Sequence, residues 1–418
     1  MKQILLSFFI LLLLSIIIMG CIDMLQNDSG NNYDHIEYSI ILNFNDSYYA
    51  DQPQINNNKV VWTANDGNDY EIYYWNGTLN SKGEPSEIIK ISNNSYRDIH
   101  PKINAGGVVW IGYENMTSHI FYWDGTFNLN GTPIDLIKLS NDNLSVINPD
   151  IYEGEIVWKG FNDDRLDIYY WNGTYYSNGS PTNPKKISNS DLRDYCPIIN
   201  EDLIIWREFD GRDYEICFWN KTSGLNDNYD QIKRTNANSS SYYTTISQGK
   251  VVWQRSDGFD SEIYFWDGKY EKNGIPEPVQ ISNNTYDDLF PQICADRVVW
   301  EGLIDNKQGI YYWDGSFESN GKPIEPILIS NDSFDNYAPK IDENSVVWVG
   351  NTGDYEGIYY WNERFNNNGR SVDPISISKN NSNSNSPQIN DNKVVWVGSE
   401  NGKNMIYYLD LNISKNYK

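Results

Sequence analysis

Apolar and polar positions recur along this chain in one fixed order. Residues 60–62 are an apolar run ending in Trp62, residues 65–69 form an Asp/Gly-rich polar turn, and residues 72–75 are a second apolar run ending in Trp75. The unit returns with Trp110 and Trp123, Trp158 and Trp171, Trp206 and Trp219, Trp253 and Trp266, Trp300 and Trp313, and Trp348 and Trp361. In an eighth copy Trp396 is followed by Leu409 in place of a second tryptophan, and this accounts for all 15 tryptophans. The runs are short and rich in Val, Ile, Tyr and Trp, which predicts strands, and the Asp/Gly turn between them predicts a hairpin.

A shorter strand precedes each hairpin. Pro stands nine residues before the first tryptophan in seven copies, from Pro53 and Pro101 to Pro387, with Thr244 in that place in the fifth. After the hairpin a loop rich in Gly, Pro and Asn leads to a fourth strand, as at residues 136–140. The first tryptophans recur every 47 or 48 residues. Four short antiparallel strands at that period predict a propeller blade. An open-ended solenoid is the competing architecture and would need capping repeats, which the sequence does not show.

The alternation within strands supports stacked sheets. Val60 and Trp62 alternate with Val61, and Tyr73 and Trp75 alternate with Ile72 and Tyr74, so both faces are apolar and each sheet is sandwiched. The odd spacing of the paired tryptophans puts both on one face. The expected fold is all-β: an eight-bladed β-propeller of four-stranded antiparallel blades. The eighth copy lacks a normal fourth strand, while residues 39–47 align with residues 87–95 when shifted by one repeat. Residues 37–44 are therefore expected to complete the last blade, so that an N-terminal strand closes the ring. Alternatively, residues 410–414 complete that blade themselves.

The repeat, with its Pro-led first strand, VVW run, DG-x-DYEIYYWNG hairpin and Ile-Ser ending, resembles the repeats of TolB-like propellers over residues 37–414. Tryptophans at the strand ends and the long NG-containing loop depart from that pattern. The resemblance implies the fold and leaves function open, because that family includes periplasmic scaffolds, peptidase domains, lyases and surface proteins.

The N-terminus follows another rule. Residues 4–20 are almost wholly apolar after Lys2, and residues 18–21 (Ile-Met-Gly-Cys) resemble a lipobox. That resemblance implies cleavage before Cys21 and lipidation of its thiol; an uncleaved membrane anchor is the alternative. The expected organisation is a signal peptide or anchor at 1–20, a polar tether at 21–36 and the propeller at 37–418. Both readings place the propeller outside the cytoplasmic membrane, on its outer face. Cys196, Cys217 and Cys294 are expected as free buried thiols, since Cys196 and Cys217 fall on strands too far apart to bridge.

Charge narrows the partners. Acidic residues outnumber basic ones 57 to 32, for a net charge of −25, so nucleic acid is excluded as a partner and acidic membrane surfaces repel the ring. Contact with a membrane is expected only through the N-terminal lipid or anchor helix. Fifteen Asn-x-Ser/Thr triplets, including those at Asn76, Asn130, Asn172, Asn178 and Asn283, offer glycan acceptors.

Candidate chemistry lies in the loops that cross between repeats, expected at the mouth of the central channel. Tyr96, Arg97, His100, Arg193, Asp194, Tyr286, Asp287 and Tyr337 are the candidate ligand-binding residues, pairing aromatic rings with charges as sugar and peptide sites do. Packing between blades is the competing role. The hairpin turns carry Asp66, Asp69 and Glu71, Asp210, Asp213 and Glu215, and Asp257, Asp260 and Glu262; calcium is conceivable there, but no turn has full calcium-loop spacing, and hairpin turns favour Asp in any case. No cofactor and no catalytic residues are assigned. Three histidines without motif partners and the lack of a Gly-x-Ser-x-Gly elbow argue against metal and serine-hydrolase chemistry. The expected function is a lipid-anchored surface module that binds or scaffolds protein or glycan at the cell envelope without catalysis. A carbohydrate-active lyase or hydrolase with its site at the channel mouth is the alternative, and a structural coat component a third reading.

Overall fold

The computed structural model describes residues 39–42, 49–141, 144–162, 165–188, 192–222, 232–270, 275–304, 307–331, 333–363, 373–379 and 383–414. Cys21, the segment 1–20 and the tether 21–36 lie outside the described residues. Among the described residues no helix is long and apolar enough to cross a membrane.

Each repeat folds into strands joined in sequence order. In the first repeat these are Tyr49–Asn56, Lys59–Asn65, Tyr70–Trp75 and Ile88–Lys90. The central hairpin sets the register, with Val60 opposite Trp75 and Trp62 opposite Tyr73. The same register returns in later repeats, as Ile156 opposite Trp171 and Val394 opposite Leu409. The turn is built by its own side chains. The backbone N–H of Gly67 donates to Asn65 Oδ1 at 2.8 Å and that of Asn68 to Asp66 Oδ1 at 2.9 Å. Gly67 has φ +104°, a conformation other residues rarely adopt. The fourth strands are only two or three residues long, as at Ile137–Lys138.

The long loops before the fourth strands carry structure that composition alone did not suggest. Small bridges clip them shut, Leu79 to Pro85, Phe127 to Pro133, Tyr175 to Pro181, Tyr270 to Pro276 and Phe317 to Pro323.

The core lies between sheets. Val61, Ile72 and Tyr74 of the first repeat pack with Val108, Trp110 and Trp123 of the second. Val60, Trp62 and Trp75, on the other face of the first repeat, pack with Val395, Val397, Ile406 and Tyr408 of the eighth. Both tryptophans of a pair thus share a face, as their spacing requires. Trp62 stacks on Tyr73 with ring centroids 5.9 Å apart, and the same contact recurs between Trp158 and Tyr169 at 6.1 Å. Glycine two positions after the first tryptophan makes room for that ring: a Cβ on Gly160 would lie 2.6 Å from Tyr169.

The chain ends meet at this junction. Ile40–Leu42 pairs antiparallel with Lys403–Asp410, Ile40 opposite Tyr408 and Leu42 opposite Ile406. Tyr49 pairs parallel with Asn404, so strands of the first and last repeats join one eight-stranded sheet. Residues 411–414, the alternative closing segment, form a helical turn and not a strand.

Candidate functional site

The first strand of every repeat is bent at one residue. Gln52, His100, Asn148, Cys196, Tyr243, Phe290, Ala338 and Ser386 all have positive φ, between 48° and 56°. The ladder to the second strand skips there, as between Tyr195 and Ile198. Such a bulge turns a side chain out of the sheet and releases a backbone N–H from the ladder. The following proline suits this place because it has no N–H to leave unpaired. Several released amides are taken up by the repeat before. His100 N–H donates to Gln52 Oε1 at 2.9 Å, Phe290 N–H to Gln254 Oε1 at 3.2 Å, and Ala338 N–H to Glu301 Oε1 at 2.8 Å.

The residue after each first tryptophan faces these bulges, and its identity varies: Thr63, Ile111, Lys159, Arg207, Gln254, Glu301, Val349 and Val397. In repeats 3 and 4 it is a cation. Lys159 is 8% exposed, and its ammonium lies 5.0 Å from the centroid of the Tyr195 ring in the next repeat. Burial lowers its pKa, and the nearby Arg207 charge adds to that. The Arg207 guanidinium lies 5.5 Å from the Tyr214 ring and 5.6 Å from the Tyr242 ring, and Nη2 donates to Cys196 Sγ at 3.3 Å. Tyr195, Tyr214 and Tyr242 touch in succession, at 5.6 and 5.4 Å between centroids. Tyr195 and Tyr242 lie in the segments read as crossing loops, where the site was expected, whereas Lys159, Arg207 and Tyr214 were not among the expected residues. A signal for the two cations was present: the position is cationic in only two of eight repeats.

The eight expected residues do not form one site. Tyr96 stacks on Phe121 at 5.9 Å, and burial pushes its pKa up to about 12. Arg97 is exposed between the rings of Tyr70 and Tyr113. His100 is a bulge residue; partial burial, then the charge of Arg97, lowers its pKa. Arg193 is exposed at the start of Arg193–Asn200. Tyr286 donates to Tyr311 Oη at 3.0 Å, Asp287 accepts from Ser261 N–H at 2.9 Å, and the Tyr337 hydroxyl donates to Glu356 Oε1. They are spread over four repeats and make contacts mostly within their own sheets.

Asp194, one of the eight, lies inside the sheet. It is fully buried, and Oδ1 accepts the Trp206 indole N–H at 2.9 Å. Asp98 does the same for Trp110 at 2.8 Å and Asn336 for Trp348 at 2.9 Å. Burial pushes the Asp98 and Asp194 carboxyls up to about 7. Cys196, Cys217 and Cys294 are free as expected, but only Cys217 is fully buried; Cys294 is half-buried and Cys196 is exposed because the bulge turns it outward.

The acidic turns serve the hairpins. Asp210 Oδ1, like Asp66, accepts turn amides, from Arg212 N–H and Asp213 N–H at 2.8 Å. Asp66, Asp69 and Glu71, and Asp257, Asp260 and Glu262, each bring three carboxylate oxygens within 4.8 Å of one another. Protein groups occupy part of each cluster, while Asp69 Oδ1 and Asp260 Oδ1 are buried without a hydrogen-bond partner. The Lys90 ammonium lies 2.5 Å from Asp66 Oδ2 and 3.5 Å from Glu71 Oε1. Glu262 accepts from the Ser282 hydroxyl and from Asn284 N–H.

Together these features define a β-propeller whose rim is irregular in repeats 3 to 6. No family model matches the sequence, and no curated protein is similar to it, so membership of the TolB-like family is not established. Solved structures are similar in fold. A prolyl endopeptidase aligns with 85% of this chain at 9% identity and a TM-score of 0.54, and this chain spans 55% of that protein's length. The β-propeller domain of the Trilobed protease from Pyrococcus furiosus, described as having an open velcro topology, aligns with 80% of this chain and 99% of its own, at 13% identity and a TM-score of 0.51. Dihydro-heme d1 dehydrogenase aligns with 79% of this chain and 67% of its own, at 12% identity and a TM-score of 0.51. At such identities the likeness shows the fold alone.

These neighbours nevertheless correct the expected function. Two of the three are propellers of peptidases. None of the three is described as a stand-alone binding or scaffolding module or as a carbohydrate-active enzyme, the two functions expected from the sequence.

Proposed function

We propose that this chain is the propeller of a peptide-hydrolysing system and that it handles polypeptide at the end where the loops cross between repeats. In this reading the eight repeats are eight blades, and Ile40–Leu42 completes the last beside Lys403–Asp410, closing the ring where the chain ends meet. The strand pairing at that junction and the repeat count support this closure, and the TolB-like form of the repeats agrees with it.

The observation that carries the function is the aromatic rim. Tyr195, Tyr214 and Tyr242 run across repeats 4 and 5, and Tyr243 meets Phe290 at 4.4 Å across repeats 5 and 6. Tyr243 is 52% exposed, so this surface is open to solvent. An extended peptide offers alternate side chains to such rings and backbone groups for hydrogen bonds, so it is held with little dependence on sequence. Hydrolysis itself belongs to a catalytic unit served by the propeller. A Ser–His pair is present, Ser140 Oγ and His119 Nδ1 at 3.4 Å, but both residues are buried away from substrate. The segment 1–20 and Cys21 extend the proposal to an exported, membrane-tethered protein acting outside the cytoplasmic membrane.

The test uses the immobilised full chain, a mixed peptide digest and a set of soluble polysaccharides, with bound and newly cut peptides identified by mass spectrometry. Retention of peptides but not of polysaccharides, without new peptide termini, supports the proposal, and new termini produced by this chain alone refute the assignment of hydrolysis to a separate unit. Retention of polysaccharide alone, or of nothing, refutes it.

A further inference from the structure

Many cations in this chain are matched with carboxylates. Lys90 pairs with Asp66, Lys138 with Glu114, Lys186 with Asp167, Lys221 with Glu155, Arg234 with Glu208, Lys250 with Asp296 and Arg297 with Glu363. That is the outcome expected where acidic residues outnumber basic ones 57 to 32. Several described cations have no carboxylate ion pair, Arg97, Lys102, Arg255 and Lys340 among them, and Lys159 and Arg207 belong to this group. Among the described residues neither has a carboxylate partner, although Lys159 is 8% exposed and each cation raises the cost of the other. Their polar surroundings are aromatic faces and the Cys196 thiol, a weak acceptor at 3.3 Å from Arg207 Nη2.

A buried ammonium without an anion is costly, and evolution can replace it with a neutral side chain. The other repeats show that the position tolerates this: Thr63, Ile111, Gln254, Val349 and Val397 stand there. Two adjacent cations kept unpaired, beside an exposed residue on the bulge, describe an anion site awaiting its anion. The Arg207 fork matches a carboxylate, and Lys159 adds a second donor from the neighbouring sheet.

We propose that Lys159 and Arg207 form a carboxylate-binding site on the rim between repeats 3 and 5, with Tyr195, Tyr214 and Tyr242 as its aromatic wall. The ligand is a carboxylate of a peptide, either its C-terminus or an acidic side chain. This rests on the peptide-handling reading above and names the group by which the peptide is held. The arrangement occurs once around the ring, so it gives the otherwise repetitive rim a single anchoring point and a direction.

Cys196 is a built-in reporter, because its exposed sulfur touches Arg207. The full chain is treated with the anionic disulfide 5,5′-dithiobis(2-nitrobenzoate) and the neutral 4,4′-dithiodipyridine, with a Cys196→Ser variant to isolate the signal. Cys196 should favour the anionic reagent by roughly tenfold relative to a simple thiol, as two uncompensated cations would cause. Lys159→Met and Arg207→Met should each abolish most of that preference. A second arm measures binding of three fluorescent hexapeptides by anisotropy: one with a free C-terminus, its amide, and an amide carrying an internal Glu. Loss of one cation should weaken binding of the carboxylate peptides roughly tenfold and leave the plain amide unchanged.

Peptides that all bind equally, with no effect of either variant, overturn the carboxylate site and leave the peptide reading standing. An anionic preference at Cys196 without binding of any peptide keeps the anion site and removes peptide as its ligand. The free C-terminus and the internal Glu are told apart by which peptide the two cations favour. If Lys159→Met or Arg207→Met fails to fold, protection of wild-type Cys196 by the free-carboxylate peptide but not by its amide carries the test, and equal protection overturns the proposal.

Discussion

Replacing Asp194 with Asn should make this protein more stable at neutral pH, although Asp194 accepts a hydrogen bond from the Trp206 indole N–H. The carboxyl is wholly buried, and burial pushes its pKa from 3.8 to about 7. The sign follows from proton counting. Between pH 4 and 7 the unfolded chain has released this proton while the folded chain still holds it, so stability falls across that window and is level above it. The rise from 3.8 to about 7 corresponds to about 4 kcal/mol between the charged and neutral forms, and structural relaxation brings the recoverable part to about 2. Asparagine removes the ionisation and keeps the acceptor. Repeat 7 already uses it, with Asn336 Oδ1 accepting from Trp348 at 2.9 Å and Nδ2 donating to the Phe334 carbonyl at 2.7 Å. Urea unfolding of both proteins from pH 4.5 to 8 is the assay. Asp194→Asn should lie within about 1 kcal/mol of wild type at pH 4.5 and exceed it by about 2–4 kcal/mol at pH 8. Asp194→Ala should be worse at every pH, by about 1–3 kcal/mol, because it strands the indole N–H. A difference between Asn and Asp that does not change with pH, or that favours Asp at pH 8, would refute the reasoning.

Three further outcomes are expected. Trp253→Ala should cost about 3–5 kcal/mol in urea unfolding, because the side chain is fully buried between sheets; a loss below 1 kcal/mol would deny the packing. Gly160→Ala should cost about 1–3 kcal/mol, because the new methyl would sit 2.6 Å from the Tyr169 ring that stacks on Trp158, and the Tyr169→Ala background should remove most of that cost. Lys340, which donates to Gln292 Oε1 at 3.2 Å, has its pKa pushed down to about 8 by burial and by the charge of Lys102. Amine acylation followed by peptide mapping at pH 8 should therefore mark Lys340 ahead of the paired Lys90, whose partner Asp66 holds its pKa up, and the order should fade only as the pH rises far enough for Lys90 to lose its proton too.

The parts of this structure legible in the sequence are those that repetition amplifies. A tryptophan pair at constant spacing fixes the hairpin register, since any slip would move every side chain to the wrong face. Alternation of apolar residues on both faces dictates stacked sheets, and the deficit after Leu409 matched to residues 40–42 foretells which strand pairs with Lys403–Asp410. The bulge was partly legible, since Pro at a constant place marks where the ladder is broken, but its positive φ falls on residues as different as Gln52, Cys196 and Phe290. Backbone geometry there is imposed by the sheet and not by the residue's own preference. The clipped long loops were hidden because Gly, Pro and Asn report a turn without its pairing.

The candidate residues named from the sequence differ from those the structure groups together for a related reason. Aromatic and charged residues in the crossing loops drew notice because they stood out locally, yet Asp194, Asp287 and Tyr337 are consumed by contacts within and between sheets. A residue type repeated at one position around a ring answers a need that every blade has, as Asp98 and Asp194 do for their tryptophans. A residue that breaks the repeat answers a need of one place only. Lys159 and Arg207 break it inside strands, where their cost is highest, and no described carboxylate pairs with them. In a repeat protein the departures from register that carry an energetic penalty are therefore a better guide to function than loops rich in polar side chains.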